Sequence, residues 1–220
     1  MYTNFLLTLF LVSSSSVPHF HGNHEPFVNP IQTYTSESEI TYEELHDEAL
    51  FNCPFANPDS RKGKIISVLI EVEKSYGLPA SLKGMLLAAA CHESGYNPKA
   101  KGDHKFSKNK RPLAIGLFQM WPWWERAYNI DRSKPKESAN AYLKHVKSKI
   151  QKVKYSCKYR SEKKTWLVAW ATAIRAPKKG GRCGETPKFY KILRKWHENI
   201  KEAREASGEC YEDDEEPCGC

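Results

Sequence analysis

The run at 86–91 (LLAAAC) is apolar on every side and delivers His92 and Glu93 just before Gly95-Tyr96-Asn97-Pro98, a sequence that stops a helix. A carboxylate held where an apolar helix meets an open loop is poorly solvated. Its pKa rises, and a useful fraction stays protonated near neutral pH. That is the property of a general acid. The alternative is an ordinary charged residue ending a helix in solvent. A zinc-protease reading of His92-Glu93 fails on spacing, because the second His belongs four residues after the first and Tyr96 stands there.

The elements that must position these residues read as helices. Ile65, Val68, Leu69, Val72 and Tyr76 recur at helical spacing from Lys64 onward, with charges between them. Gly77 ends that run and Pro79 opens the next, so a tight turn joins the first helix to a buried one over 81–91. Further helices are expected over 114–124, over 138–155 with Ala141, Val146, Ile150 and Val153 inward, over 166–174, and over 188–204 with Phe189, Ile192, Leu193 and Trp196 on one face. No alternating stretch competes for a strand. The expected class is mainly α.

Charge divides the 220 residues into three. Residues 1–52 carry seven acidic side chains and no Lys or Arg, a net −7, and residues 198–220 carry nine acidic and two basic, again −7. The stretch between holds ten acidic and 32 basic side chains, a net +22. Such a surface attracts polyanions, whether nucleic acid, acidic glycans or an anionic cell wall. A hydrophobic content of 40% with 12% aromatic residues supports a core. No stretch approaches the ~18 to 20 apolar residues of a membrane-spanning helix.

Residues 5–12 (FLLTLFLV) followed by Ser13 to Ser16 have the apolar core and small-residue exit of a secretory signal peptide, although MYTN ahead of them lacks Lys and Arg. The expected organisation is a signal peptide at 1–16, an acidic and mostly disordered linker at 17–52 ending in a short helix over 41–50, a helical catalytic domain at 53–198, and an acidic Cys-containing tail at 199–220. Seven cysteines suit an exported, disulfide-bonded protein. Cys91, inside the apolar run, is expected to be the free, buried one. Zinc is the competing use of the others, but no CxxC pair is present.

The string Glu93-Ser94-Gly95-Tyr96-Asn97-Pro98-Lys99-Ala100, followed by Ala114-Ile115-Gly116-Leu117-Phe118-Gln119 and Pro122, resembles the signature of the soluble lytic transglycosylases. These are lysozyme-like enzymes that cleave the MurNAc–GlcNAc linkage of peptidoglycan. The resemblance covers roughly residues 62–198 and implies a lysozyme-like helical domain. It implies Glu93 as the single catalytic acid/base, Ser94 beside it in the sugar groove and Gln119 lining neighbouring subsites. Residues 167–171 (LVAWA) resemble the family's Ala-Ala-Tyr-Asn-Ala-Gly segment, which makes Trp170 a substrate-binding candidate. Residues 185–190 (ETPKFY) resemble its later Thr-x-x-Tyr, with Tyr190 or Phe189 at the tyrosine position. Trp170 and Ala171 depart from the family's Tyr and Asn, Leu113 stands where Gly is usual, and about eight extra residues (KFSKNKRP, 105–112) separate the two motifs.

The implied mechanism has protonated Glu93 donate to the glycosidic oxygen. The ionised Glu93 then deprotonates either the sugar's 6-hydroxyl, giving a 1,6-anhydro product, or water. An inverting hydrolase places a second carboxylate roughly 6.5 to 9.5 Å from the acid. Asp103 is the nearest candidate, and is equally readable as a loop-capping residue beside a loop histidine, His104. Trp121, Trp123 and Trp124 suit stacking on sugar faces, with core packing the expected use of at least one. The expected partner is the peptidoglycan glycan strand, with no cofactor, no metal and no nucleic acid, the chain being a secreted or periplasmic monomer. The competing class is a secreted basic protein that binds wall glycan or nucleic acid without cutting it.

Overall fold

The computed structural model describes residues 39–55, 61–174 and 183–207, all of which fall in one unit of the chain. Seven α-helices and one two-stranded antiparallel sheet make up the order α1 (Tyr42–Phe51), α2 (Lys62–Tyr76), α3 (Met85–Ser94), β1 (Lys101–Gly102), β2 (Ala114–Ile115), α4 (Trp123–Tyr128), α5 (Pro135–Cys157), α6 (Glu162–Ala173) and α7 (Tyr190–Ala206). The class is mainly α. Among the described residues no helix is long and apolar enough to cross a membrane. The expected signal peptide lies outside the described residues.

The core forms around α3. Met85 through Cys91 are all fully buried, so this part of the helix has no solvent face and needs neighbours on every side. It packs against α1, α2 and α7, while α5 joins the assembly through α2 and carries α6. Gly77 stops α2 with φ +60°, the left-handed ending a glycine adopts without strain.

Several boundaries differ from the sequence reading. The acidic linker does not run to residue 52. Thr41 caps α1 in a reciprocal capping box with Glu44, and Leu45 and Ala49 are buried in the core. At the other end, α7 continues past 198 to Ala206. Ile200 is buried, and Arg204 forks the Glu44 carboxylate with Nε to Oε1 at 2.6 Å and Nη2 to Oε2 at 2.7 Å. Helices α1 and α7 are therefore clamped together.

The helix expected over 114–124 is absent. Ala114–Ile115 pairs antiparallel with Lys101–Gly102, and Ile115 bridges back to Met120, so 116–119 is a tight turn and helix α4 starts only at Trp123. Gly116 adopts φ +81° there, and a Cβ on it would meet the Arg132 carbonyl oxygen. A helix is excluded by that left-handed residue and by the ladder.

Cys91 is not free. It is bonded to Cys53, and Cys157 is bonded to Cys183. An apolar environment hosts a disulfide as readily as a thiol, so burial alone did not decide its state. Cys210, Cys218 and Cys220 lie outside the described residues.

Candidate active site

Glu93 stands in the last turn of α3, half-buried, where the apolar helix meets the following loop. Burial pushes its pKa up to about 6, the negative charge of Asp103 adds to the rise, and the Lys188 ammonium opposes it. The partial negative charge at a helix C-terminus acts in the same direction as burial. Among the described residues nothing hydrogen-bonds its carboxylate. A carboxyl in this setting keeps part of its population protonated as neutral pH is approached, and no hydrogen bond from the described residues occupies its oxygens.

The chain leaves α3 through two consecutive left-handed residues, Gly95 at φ +58° and Tyr96 at φ +64°. Gly95 N–H donates to Cys91 O and Tyr96 N–H to Ala90 O, closing the helix end. A tyrosine in this conformation costs on the order of 1 kcal/mol. The buried ring and a hydroxyl donating to Leu87 O at 3.2 Å hold it there. Asp103 (φ +56°), Lys110 (φ +54°) and Gln119 (φ +46°) are also left-handed, so four of the six such non-glycine residues among the described residues lie in the loops that follow Glu93.

Ser94 is half-buried, and its hydroxyl donates to Ala90 O at 3.1 Å, which directs its proton into the helix backbone. Gln119 is half-buried at the end of the 116–119 turn. Its Nε2 donates to Gly116 O at 3.0 Å, and its Oε1 lies where a Cβ on Gly102 would sit. That contact ties the Gln119 side chain to β1 and hence to Asp103, the next residue. Asp103 Oδ2 accepts the indole N–H of Trp121 at 2.8 Å.

Trp170 does not line a substrate surface. It is fully buried, donates its indole N–H to Tyr142 Oη at 3.2 Å, and packs edge-on against Tyr142 and Phe189. Direct contact with a ligand is closed to it, and it acts beneath the site. Tyr190 is half-buried at the start of α7 with the Lys163 ammonium 6.0 Å from its ring centroid. The inward aromatic of that segment is Phe189, which contacts Trp170 and lies 6.4 Å from the His92 ring. Of the expected residues, the structure therefore links Glu93 to Asp103 by charge and sets Gln119 against Gly102, keeps Ser94 beside Glu93 on the same helix turn, and sets Tyr190 beside Lys163.

Four contributors escaped the sequence reading. Tyr142 lies beneath the site, its hydroxyl pKa raised by burial and then by the Glu93 charge. Lys188 supplies the opposing positive charge. Arg132 is buried and holds the turn that carries Gln119, with Nη1 donating to Leu113 O at 2.8 Å and Met120 O at 2.6 Å and Nε 3.0 Å from Glu125. Glu73, fully buried, caps the other end of α3 by accepting the N–H groups of Gly84 and Leu86. A signal for Glu73 existed. It falls on the inward stripe with Ile66, Leu69 and Ile70, where a lone carboxylate needs a buried partner.

A cavity of about 330 Å³ opens between α1 and α2, lined by Tyr42, His46 and Ile70 among others, and none of the expected site residues faces it. Among the described residues no three His, Cys, Asp or Glu side chains gather into a metal-binding group. Comparison of the chain with family models, with curated proteins and with solved structures finds no match.

Proposed function

We propose that this protein is an exported glycosidase that cleaves the MurNAc–GlcNAc bond of peptidoglycan, with Glu93 as its single acid/base, in the manner of the lytic transglycosylases and lysozymes. The observation that carries this reading is the Glu93 carboxyl, half-buried at the end of an apolar helix, without a hydrogen-bond partner among the described residues and with its pKa raised to about 6. The motif of Glu93 to Ala100 and the turn ending in Gln119 supply the substrate class through their resemblance to that family.

In the reaction, the protonated Glu93 oxygen gives its proton to the oxygen of the leaving sugar as the bond to the anomeric carbon breaks. The anomeric carbon gains positive character and the new Glu93 carboxylate faces it. That carboxylate then removes a proton from the sugar's 6-hydroxyl, whose oxygen closes onto the anomeric carbon, or from a water that adds there. Asp103 raises the proton affinity of Glu93 through its charge. The disulfides Cys53–Cys91 and Cys157–Cys183 support export to an oxidising compartment.

Clearing of purified cell walls tests the reading. Wild type should clear them and Glu93→Gln should bind without clearing; equal clearing by both ends the proposal. The mass of the released muropeptides then separates anhydro ends from reducing ends by one water.

A second reading, a basic binder of anionic polymers, is favoured by one observation. Residues 138–161 hold seven Lys or Arg and no acidic side chain, and Lys144, Lys147, Lys152, Lys154, Lys158 and Arg160 are exposed there. Wall binding by a wild type that clears nothing would select it.

A further inference from the structure

We propose that Trp121 and Phe106 form a stacking platform for a pyranose ring of the glycan strand, next to the Glu93 site and built by the 105–112 insertion. The inference deepens the glycosidase reading, on which its ligand class rests.

Of the three tryptophans that follow the Gln119 turn, Trp121 is the most exposed. Trp124 is buried, and Trp123 is stacked on it at 4.4 Å between centroids. Trp121 is 39% exposed and Phe106 is 59% exposed, and their centroids are 6.1 Å apart with the rings tilted by 43°. Two large apolar rings side by side at a surface cost free energy in water unless a partner covers them.

The pair is held rather than loose. The Trp121 indole N–H is anchored on Asp103 Oδ2 at 2.8 Å, so the polar edge of the ring is used and the exposed part of the ring is left for a ligand. Asp103 reaches it from a left-handed backbone, φ +56°, which local sterics alone would not choose. The insertion closes on itself through His104 Nδ1 and Lys110 O at 3.0 Å, and Leu113 N–H donates to Gly102 O at 3.1 Å at its base. This closed loop presents Phe106.

The chemistry of the patch selects the ligand. Asp103 holds the edge of Trp121 and the Lys105 ammonium lies over one face of Phe106 at 5.0 Å from its centroid, so the ring surface left open beside these charges suits an occupant that is apolar on its faces and hydroxylated at its edge, which describes a pyranose. Two rings beside these charges are too small an apolar area to hold an acyl chain or a helix. Continuity with the cleavage site is direct, because Asp103 carries the Trp121 anchor, adjoins Gly102 against Gln119, and acts by its charge on Glu93.

The test measures binding in the Glu93→Gln protein, where no turnover intervenes, by calorimetry with soluble peptide-free strands of alternating GlcNAc and MurNAc. Trp121→Ala and Phe106→Ala should each weaken the Kd at least tenfold, and Tyr155→Ala, at a still more exposed ring on α5, should leave it unchanged. Phe106 lies in an exposed loop, so its removal probes the platform even if Trp121→Ala melts early. An unchanged Kd in Phe106→Ala, or strands that do not bind the Glu93→Gln protein at all, overturns the platform. Wall clearing by the otherwise wild-type chain is scored separately: clearing with unchanged binding in the variants removes the platform and keeps the enzyme, while ring-dependent binding without clearing keeps the platform and removes the enzyme.

Discussion

Glu73 and Glu93 occupy opposite poles of α3, the first accepting the Leu86 N–H at 2.9 Å at its start and the second standing in its last turn. At the start of a helix a carboxylate meets unsatisfied N–H groups and a partial positive charge; at the end it meets the reverse. Full burial still raises the Glu73 pKa to about 7, against the hydrogen bonds that lower it. Glu93 has no such bonds. One carboxyl is therefore committed to the helix backbone, while the other has no hydrogen-bond partner among the described residues.

On the proposed glycosidase reading, the proton on Glu93 sets the pH range of activity. Cleavage should fall as pH rises through about 6, where the acid ionises. Lys188→Ala removes a charge that lowers the Glu93 pKa, so its falling limb should move to higher pH. Asp103→Asn removes a charge that raises it, so that limb should move lower. A pH profile of wall clearing in which both variants shift the same way would contradict this assignment.

Removing the ionisable group should stabilise the protein. The folded pKa of Glu93 lies above its unfolded value of 4.5, so its favourable contribution is complete below about pH 4.5 and is lost as pH rises through about 6. Glu93→Gln should then be about 1 to 2 kcal/mol more stable than wild type at pH 8, with the difference vanishing near pH 4. Urea unfolding at the two pH values measures it.

The Cys53–Cys91 bond ties the end of α1 to the helix that carries Glu93, two residues ahead of it. Closing a loop with a sequence separation of 38 is worth about 4 kcal/mol through the unfolded chain. The Cys53→Ser, Cys91→Ser double variant should lose stability of that order in denaturant titration, and wall clearing should fall with it.

Ending the chain at residue 198 should destabilise the domain. The cut removes buried Ile200 and the Arg204 fork on Glu44. Together these contribute about 3 to 4 kcal/mol, most of it from the apolar side chain. A chain ended at residue 207 retains both, and thermal melts of the two truncations should differ by several degrees or more.

Helix positions were legible in the residues because they are local. The apolar period from Ile65 to Tyr76, the stop at Gly77 and the buried run before Glu93 depend on neighbours within one or two turns, and α2, α3, α5 and α6 appear within a few residues of where that period puts them. The prominence of Glu93 was legible for the same reason. Tertiary structure alone decided the partner of Cys91, the burial of Trp170, the capping by Glu73 and the turn at 116–119, each of which joins groups far apart in the chain. A carboxyl's proton affinity belongs with them: the Asp103 and Lys188 charges that adjust Glu93 arrive from separate loops, and no period along the helix carries their distance.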